Sequence, residues 1–321
     1  MKAAVMHEQG DPDVLSYEEI DDPTCDADGV IVDVEVIAIE GGDVLNRRML
    51  PDKQFPHIVG YQAAGRISQI GEDVTRLSVG QRVAAFAFAG SHAERFAVPA
   101  ATAFPIPDSL DARLAATIPV CFGTAGWALF DHCALRWGET VFVFGGSGGV
   151  GLAAIQLARS AGAMVIATAR GDAHGTLRHL GCDHVIDYTQ VDFSEEIARI
   201  TDGKGAHVVL DMVGGNPDAV AKLCSTVAAR GRLAAVGLAS GVAPSYPFFD
   251  IAPRGLAVHG VLFGNEMHTT RARVMLEDQI ARAAAGKLSM PVAKVFPLSQ
   301  AAEAHRFVEE MHPVGRVLMT P

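Results

Sequence analysis

The sequence predicts an α/β protein built from a doubly wound, parallel six-stranded sheet and a second, β-rich domain. Three observations predict it. An apolar strand runs into glycines spaced G-x-G-x-x-G and on into a helix, strands and helices alternate from about 114 to 264, and residues 1–113 instead carry short strands broken by Gly, Pro and Asp.

The glycine stretch reads Val141-Phe142-Val143-Phe144-Gly145-Gly146-Ser147-Gly148-Gly149-Val150-Gly151. Gly146 is expected to permit a tight turn and Gly148 to admit a phosphate where a Cβ would block it. Gly151 is expected to let the helix lie close to the strand. Ser147, Gly149 and Val150 then sit where a helix opens with unpaired N–H groups and a positive dipole end. Taken alone, such glycines also describe a tight connection that binds nothing. Context favours the pyrophosphate cradle: 141–144 is β-branched and aromatic, 152–160 is helix-compatible, and a strand at 164–168 completes a βαβ unit. The uncharged run 140–158 has the length of a membrane span, but its glycine-filled middle argues against one.

Further strands are expected near 184–187, 206–211, 231–236 and 256–262, completing two mononucleotide-binding halves over 114–264. The N-terminal domain, 1–113, has strand patterns at 30–37, 64–70, 82–87 and 94–98, of antiparallel character. The tail, 265–321, offers helices at 270–285 and 299–311 and a strand at 316–319. It is too short for a domain and is expected to rejoin 1–113.

A formal charge of −11 disfavours nucleic acid or an anionic membrane surface as partner, so a nucleotide would be held by local groups. Five scattered cysteines, 25, 121, 133, 182 and 224, include no C-x-x-C pair and read as free thiols. The N-terminus lacks the apolar core of a signal peptide, and a cytoplasmic location is expected.

NAD sites usually place Asp or Glu at the end of the second strand, to hold the ribose hydroxyls. Here that strand ends Thr168-Ala169-Arg170, with no carboxylate until Asp172. Arg170 suits a 2′-phosphate and hence NADPH, although an exposed arginine at a strand end is also an ordinary surface residue.

Further blocks carry a family resemblance: Met1-Lys2-Ala3, Gly60-Tyr61-Gln62-Ala63-Ala64-Gly65, Gly80-Gln81-Arg82-Val83, Gly90-Ser91-His92-Ala93-Glu94, Val185-Ile186-Asp187-Tyr188, Asp211-Met212-Val213-Gly214-Gly215 and Gly315-Arg316-Val317-Leu318. In this order, over nearly the whole chain, they resemble the zinc-independent, zeta-crystallin-like quinone oxidoreductases of the medium-chain dehydrogenase/reductase superfamily. The resemblance implies a Rossmann domain at 114–264 and a GroES-like catalytic domain at 1–113 with 265–321. It also implies cofactor contacts at Thr124, Tyr188, Val213, Gly214, Val236, Gly237, Phe263 and Gly264. The family's phosphate-binding lysine has no counterpart, so His174 or Arg170 would substitute. A homodimer is implied through the edge of the sixth strand, around 257–262.

The superfamily's zinc enzymes carry a cysteine where this chain has Gly41-Gly42-Asp43 and a His-Glu pair where it has Tyr61-Gln62. Cys121 alone cannot build a three-ligand site, so no metal is expected. Without a Lewis acid the favoured acceptor is a quinone or an α,β-unsaturated carbonyl, in which conjugation spreads the developing charge.

The family's active-site loop reads Asn-Pro-x-Asp with a nearby tyrosine. Here it is Glu40-Gly41-Gly42-Asp43-Val44-Leu45, keeping only the aspartate. Asp43, Asn46 and Tyr61 are the candidates for orienting substrate or passing a proton. Equally, Asp43 reads as a cap on a helix over 45–50, Asn46 as a backbone partner and Tyr61 as core. His57, His92 and His259 read as structural. Two alternatives stay open. An enoyl-thioester reductase would need a basic patch for its thioester arm, for which Arg47 and Arg48 are the local pair. A non-catalytic structural or regulatory protein would bind NADPH without turnover.

Overall fold

The structure is a computed structural model, and it describes residues 1–49 and 54–321. The chain divides into two compact units, Met1–Gly123 with Phe263–Pro321, and Thr124–Leu262. The division falls after Gly123, not after Arg113. The stretch between them belongs to the first unit because Ala112–Ala115 packs on two of its strands, Gly29–Ala38 and Gln62–Ile70, and the turn that follows packs on the helix Thr270–Ala284.

In the first unit the strands run β1 (Lys2–Met6), β2 (Leu15–Glu19), β3 (Gly29–Ala38), β4 (His57–Ile58), β5 (Gln62–Ile70), β6 (Arg82–Phe86), β7 (Arg95–Pro99) and β8 (Ala103–Pro105). In the second they are β9 (Thr140–Phe144), β10 (Met164–Thr168), β11 (His184–Ile186), β12 (Ala206–Asp211), β13 (Val227–Ala235) and β14 (Ala257–Gly260). The tail returns to the first unit with β15 (Val292–Pro297) and β16 (Arg316–Thr320).

The second unit holds one parallel sheet in the order β11-β10-β9-β12-β13-β14. Its order reverses beside β9, the first strand. That reversal is the switch point at which the carboxyl ends of the strands open to a ligand. Phe142, Ile166, Val209 and Leu233 lie in its core, so the central strands read as unbroken apolar runs.

The first unit is built on a mixed sheet, β15-β16-β3-β5-β6-β8, with β7 also on β3. β16 pairs antiparallel with β3, which ties the tail into the N-terminal sheet. Val32, Ile37, Ile67, Phe96, Val317 and Met319 fill the core beneath it. The period-2 pattern does not expose β2 or β15, whose residues are mostly solvent-facing and so carry no apolar alternation. β13 begins at Val227 instead of 231, since its early residues pass through a left-handed Arg230 and a glycine. β14 stops at Gly260, short of 262.

Candidate active site

In the second unit the turn after β9 is shaped by Gly145, which has φ +96°, a left-handed conformation that glycine takes at no steric cost. The tight-turn role expected of Gly146 therefore belongs to its neighbour. Gly146 is needed for packing: a Cβ there would lie 2.8 Å from the Ala167 Cβ. Gly151 is the close-approach position, with a Cβ falling 2.4 Å from the Gly145 carbonyl oxygen. Gly148 faces open space, and it caps the helix Gly149–Ser160 with no side-chain acceptor. The first-turn N–H groups, at Gly149, Val150 and Gly151, are thereby aimed outward past a residue with no Cβ, as a pyrophosphate requires. Ser147 is half-buried beside them.

Thr168 is buried and works inward. Its Oγ1 accepts the Gly145 N–H at 3.0 Å and its carbonyl accepts the Gly146 N–H at 2.9 Å, so it sets the glycine turn in place of lining a ligand. Ala169 is also buried, its N–H donated to the Ile186 carbonyl. Arg170 is exposed at the strand end. His174 is half-buried with Nε2 3.3 Å from the Ala169 carbonyl oxygen, and Tyr188 is exposed. The carboxylate at this corner comes from the third strand: the Asp187 carboxylate accepts the Thr189 hydroxyl and N–H and the Gly171 N–H, and these hydrogen bonds hold its pKa below the usual range.

The implied contacts at Val213, Gly214, Val236 and Gly237 are gathered by Asp211, a buried carboxylate that the resemblance gave no role. One oxygen accepts the N–H groups of Val213 and Gly214, each at 2.9 Å, while the other accepts the Tyr246 hydroxyl at 3.1 Å. Its carbonyl accepts from Val236 and Gly237. Thr124 is half-buried at the start of this unit. Phe263 and Gly264 belong to the first unit. There Phe263 is core, its ring lying over Gly123, so its side chain is not disposed toward a ligand.

In the first unit the helix Gly41–Met49 starts four residues earlier than 45, and Leu50 lies outside the described residues. Asp43 is its third residue. Its Oδ2 accepts the Glu40 N–H at 2.8 Å, the back-reaching half of a capping box. Complete burial pushes its pKa well up, against the hydrogen bond from Glu40. Asn46 is buried and donates from Nδ2 to the Tyr61 hydroxyl oxygen at 2.9 Å. Burial, with the Asp43 and Glu40 carboxyls nearby, holds the Tyr61 phenol in its protonated form. The three candidates are thus neighbours, and Tyr61 alone among them is half-exposed.

Beneath them lies a buried nest absent from the sequence reading. Glu40 Oε1 accepts from Gln62 Nε2 at 2.6 Å, from Cys121 Sγ at 3.3 Å, and faces the Arg316 guanidinium at 2.8 Å. Gln62 Oε1 accepts the Val120 N–H in turn. The one signal available was Arg316 inside an otherwise apolar closing strand. This nest also decides the zinc question from the donors present. The Glu40 carboxylate is taken up by the Arg316 guanidinium, burial pushes the Cys121 thiol well up, and Tyr61 stands where a histidine would ligate. The residues do not fit a metal, and among the described residues no three His, Cys, Asp or Glu side chains converge on one.

The basic pair considered for a thioester arm is already engaged. Arg47 is fully buried and pairs with Glu309 at 2.8 Å, and Arg48 pairs with the same carboxylate. No helix among the described residues is long and apolar enough to cross a membrane.

Comparison with known proteins agrees with both units. Residues 26–108 match the alcohol dehydrogenase GroES-like domain and residues 149–277 the zinc-binding dehydrogenase family. A 2-haloacrylate reductase from a Burkholderia species is 31% identical over 99% of this chain and 98% of its own. A quinone oxidoreductase-like protein 2 homolog from Nematostella vectensis is 30% identical over 83% of this chain and 74% of its own. Among solved structures, Escherichia coli quinone oxidoreductase complexed with NADPH covers all of both chains, with a TM-score of 0.93 and 25% identity.

Proposed function

The chain belongs to the zinc-independent quinone oxidoreductases of the medium-chain dehydrogenase/reductase superfamily, and from that premise we propose that it reduces a quinone or an α,β-unsaturated carbonyl with NADPH. The observation that carries this is the glycine turn. Gly148 offers open space over the unpaired N–H groups of a helix start, and Arg170 closes the second strand where an NAD site would place a carboxylate. Gly148–Gly151 would hold the pyrophosphate, Arg170 with His174 the 2′-phosphate, and the loops gathered by Asp211 the rest of the nucleotide. When bound, the cofactor supplies a hydride.

The chain's own task is to receive the charge that develops on the acceptor oxygen. Tyr61 suits it. Its oxygen accepts from Asn46, which fixes the ring and leaves the O–H to donate to that oxygen. Asp43 is a positioning residue, because its carboxyl is fully buried and its Oδ2 accepts the Glu40 N–H. The arrangement supports a conjugated acceptor better than a simple aldehyde, which would need a stronger electrophile than one phenol. We further infer a homodimer through β14, which among the described residues pairs only with β13 and is followed by the exposed Leu262.

The test is loss of reduced-nicotinamide absorbance with chelator-treated protein against quinones, enones, a crotonyl thioester and plain aldehydes, with NADPH and NADH in parallel. Turnover of quinones or enones with NADPH is expected. Tight NADPH binding with no turnover of any acceptor would overturn the enzyme reading in favour of a binding protein.

A further inference from the structure

Around the Tyr61 hydroxyl the first unit assembles a feature that no motif announced. The Tyr61 ring lies 6.1 Å from Phe86 at 55° and 6.3 Å from Phe88 at 85°, and Phe86 and Phe88 meet at 5.2 Å and 74°. These are tilted and edge-to-face contacts of a mutually supporting aromatic cluster. Phe86 is buried, Tyr61 half-buried, and Phe88 is 50% exposed. A large apolar ring left half in water at the end of such a cluster, two residues beyond a fully buried strand, is an available face.

Two glycines fit the cluster closely. A Cβ on Gly42 would fall 2.3 Å from Tyr61 Cε2, and one on Gly264 would fall 2.8 Å from both Phe86 and Phe88. Two separate chain segments therefore reach the rings only because they lack side chains there. Leu45 stands where the resembled family has its substrate-facing aromatic, so the ring surface in this chain comes from β6 and its extension instead.

The nest beneath the hydroxyl offers no spare positive charge among its described residues. Burial favours the neutral form of the Asp43 carboxyl, and the Glu40 carboxylate and the Arg316 guanidinium neutralise each other at 2.8 Å. An anionic acceptor would give up water against the rings with no unpaired cation among the described residues of this nest to replace it.

We propose that Phe88, with Phe86 and Tyr61, is the acceptor platform, and that it selects flat, uncharged conjugated carbonyls over acceptors bearing a carboxylate or sulfonate. The ring of the acceptor lies against Phe88 while its carbonyl oxygen takes the Tyr61 O–H. This deepens the reductase reading and rests on it for the reaction, but not for the binding.

The test separates the two. Equilibrium binding of naphthoquinone to the protein loaded with NADP⁺ involves no turnover. Phe88→Ala and Phe88→Leu should each weaken it about tenfold while leaving the NADPH dissociation constant within about twofold. Naphthoquinone sulfonate should bind the wild type about tenfold more weakly than methylnaphthoquinone. Retention of wild-type naphthoquinone affinity in both variants, or equal affinity for the sulfonate, overturns the platform even if quinones are reduced. No binding of naphthoquinone to the wild type overturns it as well. Phe88-dependent binding without turnover leaves the platform standing and overturns the reductase reading.

Discussion

In the unit Thr124–Leu262 the candidate site is made of backbone: glycine N–H groups, a helix start, and two loops tied to one aspartate. In the unit Met1–Gly123 with Phe263–Pro321 it is made of side chains drawn from positions 40, 43, 46, 61, 62, 121 and 316. A backbone site needs particular residues within one strand-turn-helix, so spacing along the chain reveals it. A side-chain nest needs only that distant residues meet, which spacing does not record. The two also differ in what holds them. Close packing at Gly146 and Gly151 maintains the first, whereas mutual neutralisation of buried charges maintains the second.

The sharpest way to break that contrast is to remove one charge. Arg316→Met leaves Glu40 buried beside Asp43 without a cation, and about 3–5 kcal/mol of stability should be lost, read as a fall in the urea midpoint. Adding Glu40→Gln should restore most of it, since a neutral amide still serves Gln62 and Cys121. If the single variant is as stable as the wild type, the nest is not held by charge pairing.

A second nest in the same unit makes a pH prediction. His92 and His305, both fully buried, share one hydrogen bond of 2.9 Å between their Nε2 atoms. Burial pushes His92 down to about 3, and burial with His92 and Arg47 beside it pushes His305 well below its usual value. Both stay neutral in the folded protein while the unfolded chain takes up two protons below about pH 6.5. The pair therefore favours folding above that value and opposes it as pH falls. Between about pH 7.5 and 5.5 it should remove about 3 kcal/mol. Replacing both by apolar residues, His92→Phe with His305→Leu, should flatten this slope in urea titrations. An unchanged slope would locate the acid sensitivity elsewhere.

These two nests mark where sequence reading stops. The six parallel strands, the glycine turn and Arg170 at a strand end were all legible, because each is fixed by neighbours within one βαβ unit. The exchange of roles between Gly145 and Gly146 was not, since only backbone dihedrals distinguish them. Nor was the inward-facing Thr168, whose partners lie across the sheet at 145 and 146. Asp43, Asn46 and Tyr61 were legible as candidates, but their order of function was not. It depends on which of them burial leaves half-open, and that is set by Glu40, Gln62 and Arg316 from three other elements.

The cradle is tested by two glycines with opposite surroundings. Gly148→Val meets open space at φ −77°, so stability should change by less than about 0.5 kcal/mol while NADPH affinity falls about 30-fold, or about 2 kcal/mol. Gly151→Val meets the Gly145 carbonyl and should cost folding itself. Equal effects of the two on stability would contradict the division of labour between them.

Arg170→Ala carries the smallest expected effect and bears most directly on cofactor choice. Arg170 is exposed, and its guanidinium would meet a 2′-phosphate at a solvent-screened site, where a charge-assisted pair is worth about 1.4 kcal/mol, or tenfold in affinity. The expected outcome is a tenfold rise in the NADPH dissociation constant with that of NADH unmoved, measured by fluorescence titration. His174, half-buried with Nε2 3.3 Å from the Ala169 carbonyl oxygen, stays in the variant and would carry whatever preference for NADPH is left. An unchanged ratio of the two dissociation constants would leave Arg170 as an ordinary surface residue. Reading the 2′ position would then fall to the Asp187 corner, whose carboxylate, already aimed at the Gly171 N–H, favours a ribose hydroxyl over a phosphate.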